Sequence, residues 1–150
     1  MEEGSLAKQV ADELKGLITA SVNSIRDGNF QHAYDYLNHA LSMTELIEYH
    51  AGSAMTLYNL ANLHAITGDN ITALQTASLA LEKARLGQAE DTSYQKLART
   101  LFLALQKEGV DHVKNKDYAQ ALNCFETCLP YAPEEKKASL EKQIALLRRI

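Results

Sequence analysis

Three stretches of this chain repeat one helical pattern with drifting letters. They read RDGNFQHAYDYLNHAL (Arg26 to Leu41), ITGDNITALQTASLAL (Ile66 to Leu81) and KNKDYAQALNCFETCL (Lys114 to Leu129). Each opens on a short polar turn, then sets an Ala, a second residue four positions on and a small residue three further. The triads are Ala33, Leu37, Ala40; Ala73, Ala77, Ala80; and Ala121, Phe125, Cys128. Those offsets fall on one face of an α-helix. A repeated helix with a small-residue face is a stacking unit, and stacking units build binding surfaces more often than catalytic pockets.

With 150 residues the chain is long enough for one domain with its own core. Only seven Gly and two Pro interrupt it, and no alternating β-branched or aromatic run occurs, so the expected class is all-α. A formal charge of −4 argues against nucleic acid as a partner. No apolar run is long enough to span a membrane and Met1-Glu2-Glu3 is not a signal start, which predicts a cytoplasmic protein with no membrane association. Cys124 and Cys128, one turn apart on one helix, suit a reducing compartment better than a disulfide.

Seven helices are expected. They run from about Ser5 to Asp27, Phe30 to Leu46, Ser53 to Thr67, Ile71 to Arg85, Thr92 to Lys114 and Tyr118 to Tyr131, with the last starting at Pro133. Glu48 to Gly52 reads as a connector, and Thr92 with Gln95 has the spacing of a capping box. Acids first and bases last orient the final helix with its dipole.

The run Tyr58-Asn59-Leu60-Ala61, Thr67-Gly68-Asp69, Ala73, Ala77, Ala80 resembles a tetratricopeptide repeat. Aligning the turns starts the copies at Leu14, Ala54 and Phe102, so the starts differ by 40 (54 − 14) and 48 (102 − 54) rather than the usual period of about 34. The 40-residue spacing is similar to the variant repeats of kinesin light chains. Eight extra residues before the third copy fit two more turns on its first helix. Glu108 stands where the pattern expects an apolar residue. The resemblance implies one domain over residues 1–150, a helix-turn-helix solenoid with repeats at about 14–47, 54–87 and 94–133 and a capping helix over 134–150.

In this family the first helix of each pair lines the concave side, where partners usually bind. The resemblance carries eighteen positions of this chain onto that side, and they hold no acid and four bases, Lys15, Arg26, Lys107 and Lys114. On the fifth helix, Lys96, Arg99, Leu103, Lys107, Val110 and Lys114 make one stripe. The expected groove is therefore Lys15, Thr19, Arg26, Tyr58, Asn59, Asn62, Arg99, Leu103, Lys107 and Lys114. Asn59 and Lys107 match two positions of the carboxylate clamp by which some members hold chaperone tails. Ile18, Val22 and Leu103 replace three others, so that clamp is incomplete.

No nucleophile motif, phosphate-binding loop or paired-carboxylate pocket can be placed, and no enzyme is expected. Nor is a cofactor or metal: Cys128 fills a small-residue position, and His32 and His39 lack a third ligand. The expected function is a protein–protein interaction scaffold holding a peptide or partner segment, acidic by the basic stripe, as a monomer or weak homo-oligomer. The alternatives are a homotypic structural adaptor and a small client-binding chaperone of the secretion type.

Overall fold

Helix after helix of this chain ends in the same way, and that ending sets the architecture. A computed structural model describes the backbone of residues 2–150 and the side chains from residue 6 onward. Its elements are α1 (Glu2–Arg26), α2 (Phe30–Leu46), α3 (His50–Ile66), α4 (Asn70–Leu86), α5 (Thr92–Lys114), α6 (Tyr118–Cys128), a 3₁₀ turn (Leu129–Tyr131) and α7 (Glu134–Arg148). Five helix ends carry one residue of positive φ: Gly28, Glu48, Gly68, Gln88 and Lys116. In each, the next N–H reaches back to a carbonyl five residues earlier, as in Asn29 N to Ser24 O at 2.8 Å and Asp117 N to His112 O at 2.8 Å. That reverse turn satisfies carbonyls the helix leaves open and turns the chain sharply.

The first four of these residues are spaced 20 apart, so the forty-residue repeat is two helical units of equal length. α2, α3 and α4 each have 17 residues, whereas α5 has 23. The expected lengthening of the third pair's first helix is present: six more residues in α5, and a connector before it two residues longer than the others.

Only two of the five left-handed positions are Gly, which has no Cβ to clash there. Glu48→Gly and Lys116→Gly are each expected to stabilise the fold by about 0.5–1 kcal/mol, read as a higher urea midpoint. A fall in the midpoint would contradict the strain assignment.

Two expectations need correction. α3 starts at His50, three residues before Ser53, because Gly52 is not a connector residue. It sits inside the helix, where a Cβ would lie 2.6 Å from the Tyr49 ring and 2.9 Å from Thr44 Cγ2. Gly87 is likewise kept small by the backbone N of Ala51, 2.8 Å from where its Cβ would be. The capping box is absent too. Asp91 is the N-cap of α5 with no side-chain cap bond, and Glu90 accepts hydrogen bonds from the Thr92 N–H and hydroxyl instead.

The second helix of each pair is capped well. Asn29, Asp69 and Asp117 each accept from the N–H three residues on, at 3.3, 3.1 and 3.4 Å. Asp69→Ala is expected to lower stability by about 1 kcal/mol at neutral pH. Hydrogen bonds from Thr72, side chain first and then N–H, hold the Asp69 carboxyl below its ordinary value. With the folded value depressed, this contribution is present above the unfolded carboxylate value of about 4 and disappears as pH falls through the folded one. Denaturation of both proteins at about pH 7 and about pH 2 should show the difference closing at the acid end.

Consecutive helices pack on one another throughout, α3 touches both α1 and α5, and α4 touches α6. Every triad residue is fully or nearly fully buried. The two core clusters meet at α4: Ala73 and Ala77 belong to the one that runs through α5, α6 and α7, and Ala80 to the one shared with α2 and α3. Four alanines on one helix (73, 77, 80 and 84), each with no exposure, let α4 sit close against α3. α7 buries Leu140 and Ile144 and leaves Glu141, Lys142 and Arg148 exposed, the division a terminal cap requires. Among the described residues there is no strand, and no helix is long and apolar enough to cross a membrane.

Candidate functional site

The residues on the first helices of the pairs have the exposure a binding face needs. Lys15, Thr19 and Arg26 of α1 are exposed, as are Arg99, Leu103, Lys107 and Lys114 of α5. Tyr58, Asn59 and Asn62 of α3 are half-buried between them in sequence order. Val22, Met55, Ile66, Leu103, Val110 and Val113 add apolar surface on the same three helices, each between 36% and 55% exposed. Lys96, Arg99, Lys107 and Lys114 have no carboxylate within 4 Å among the described residues, whereas Lys83 and Arg85 of α4 pair with Glu45 and Asp91 at 3.2 and 3.0 Å. On α5 the stripe lies opposite the residues that are buried in the core, Leu101 and Leu105.

Three expected contacts are differently placed. Tyr58 meets Tyr94 of α5 edge-on, with ring centroids 5.6 Å apart, so it helps join α3 to α5. Burial and then the nearby Tyr58 hydroxyl push the Tyr94 phenol up from its ordinary value. Asn59 donates Nδ2 to Met55 O of its own helix at 2.8 Å, which occupies one of that amide's two donors. Arg99 turns toward α4. It lines a cleft of about 970 Å³ with Gln75, Leu79 and Glu82 of α4, Gln95 of α5, and Tyr131 and Pro133 beyond α6. Thr19, Asn62, Lys107 and Lys114 do not line that cleft. Of the ten expected residues, Arg99 alone lines that cleft.

His64 packs between helices, its ring centroid 5.2 Å from that of Tyr34, whose hydroxyl lies 3.2 Å from His64 Nδ1 and 3.0 Å from Thr67 Oγ1. Burial lowers the His64 value, against a smaller opposing pull from Asp69. Both cysteines are free and buried. Burial pushes the Cys124 thiol up to about 11, with Glu108 adding to it, and the Cys128 thiol up to about 12, with Cys124 adding to it. Thiols held protonated in this way are poor nucleophiles.

Sequence reasoning missed one cluster. Glu108 and His112, one turn apart on α5, meet Cys124 of α6 with their ligand atoms all within 4.8 Å of one another. The Glu108–His112 spacing is visible in the sequence, but Cys124 arrives only through the packing of α6 on α5. No protein-family model, no curated protein and no solved structure matches this chain.

Proposed function

We propose that this chain is a tetratricopeptide-like interaction module that holds an acidic, extended segment of another protein across α1, α3 and α5. It acts by binding and not by catalysis, in the cytoplasm. The observation that supports this most is the α5 stripe, where exposed bases without carboxylate partners alternate with exposed Leu103 and Val110. A partner with acids beside apolar side chains is complementary to it on both counts, and charge steers its approach. In this reading Asn62 and the acceptor side of Asn59 bond its backbone.

Anisotropy titration of labelled acidic peptides against the wild type and Lys107→Glu with Lys114→Glu tests the reading. Equal affinity for the two proteins would overturn it. Arg99→Glu is the control, because it alters the α4–α5 cleft and leaves the stripe's other bases in place.

A second reading, homotypic assembly, is supported by Leu46 and Leu86, which stand 40 residues apart at the ends of α2 and α4 and are 85% and 58% exposed. Light scattering over a concentration series separates the readings, since the groove alone leaves the protein monomeric.

A further inference from the structure

We infer that Glu108, His112 and Cys124 form a binding site for a zinc-class divalent transition ion between α5 and α6. A thiolate, an imidazole and a carboxylate are the donor set such ions take, and three protein ligands leave a fourth position for water. The ligand atoms lie within 4.8 Å of one another, and His112 Nε2 is 3.7 Å from Glu108 Oε1. Ligands bound at about 2.0–2.3 Å around a tetrahedral ion sit about 3–4 Å apart. Glu108 and His112 are both only partly buried, and small rotations of these two side chains toward buried Cys124 can shorten the separations.

The surroundings complete the arrangement. The two nitrogens of His112 are divided: Nε2 faces Glu108, and Nδ1 lies 4.0 Å from Asp117 Oδ2. That separation is longer than a hydrogen bond, and the exposed Asp117 carboxylate must close it to act as the outer partner that usually orients a metal-bound imidazole. Asn70 Nδ2, from the first residue of α4, donates to Glu108 Oε2 at 3.2 Å and leaves Oε1 for the ion. This also accounts for an acid at a position where the repeat pattern calls for an apolar side chain. The site lies on the side of α5 away from the basic stripe, so it is independent of the groove reading.

Binding replaces one proton: Cys124 S–H gives up H⁺ to the buffer and the sulfur's electron pair bonds the ion, with no change of oxidation state. Bridging two helices of the third pair, the ion stabilises the folded chain by mass action.

Cobalt(II) titration tests the site, because a thiolate ligand gives cobalt a near-ultraviolet charge-transfer band. The wild type should develop that band, and zinc should abolish it by displacement. Cys128→Ala should keep the band and Cys124→Ala should lose it. Glu108→Gln and His112→Gln, changes at half-buried positions that leave the core intact, should weaken cobalt binding by at least about tenfold. At equal zinc concentration the unfolding midpoint of the wild type should rise by more than that of Glu108→Gln. No charge-transfer band in the wild type at excess cobalt, or a band lost in Cys128→Ala and kept in Cys124→Ala, overturns the assignment.

Discussion

Phe125→Ala is expected to destabilise the fold by about 3–5 kcal/mol, seen as a large drop in urea midpoint. Phe125 is 1% exposed and belongs to the core cluster that contains Phe102, Leu105, Leu140 and Ile144. Its ring lies against Gly109 of α5, where an added Cβ would come within 2.7 Å of Cε1. Counted from the copy starts, Ser21 and Ala61 hold the position of Gly109, and Leu37 and Ala77 hold that of Phe125. The third pair thus sets the largest of these three second-helix residues against the smallest of the three first-helix residues. Removing the ring deletes buried apolar area and leaves a cavity that Gly109 has no side chain to fill. Against a total stability of about 5–15 kcal/mol for a domain of this kind, that is a large share. Phe125→Leu, which retains most of the volume, should lose much less; equal losses would mean the ring is not the packing element described here.

The second large effect is on binding. Lys107→Glu with Lys114→Glu removes two attractions to an acidic segment and adds two repulsions. Exposed ion pairs contribute about 0.2–1 kcal/mol each, so losing two and adding two repulsions of like size should weaken binding by about 4- to 800-fold. Both side chains are exposed, so the fold should be unaffected. Salt supplies an internal check. The wild-type affinity should fall as ionic strength rises past the point where the screening length drops to about 8 Å, and the double variant should show little dependence. Arg99→Glu should change the wild-type affinity far less, because Arg99 faces the α4–α5 cleft.

Much of the fold is legible in the sequence, for a physical reason. The triads fall on buried helix faces, because small residues at fixed helical offsets let neighbouring helices approach closely. The connectors are less legible. Their defining residue is a left-handed one that Gly fills at positions 28 and 68 but Glu, Gln and Lys fill at 48, 88 and 116, so composition does not mark it. Gly52 misleads in the opposite sense, being small for the sake of the Tyr49 ring and Thr44 rather than for a turn. Side-chain direction is the other gap. Arg99 and Lys107 share a stripe by helical offset, yet only Arg99 lines the cleft beside α4. Glu108 is conspicuous in the sequence as a departure from pattern, but its meaning depends on Cys124, sixteen residues on, and on Asn70, which no local spacing connects to it.

Where the partner segment lies on the molecule is tested most directly by a map. Backbone amide chemical shifts recorded while an acidic peptide is added should move on three helices at once, around Thr19 of α1, Asn62 of α3 and Lys107 and Lys114 of α5. The α4 residues Gln75 and Glu82 should stay still. Shifts gathered around Leu79, Glu82 and Tyr131, or no shifts at peptide excess, would contradict a groove formed by the first helices of the pairs.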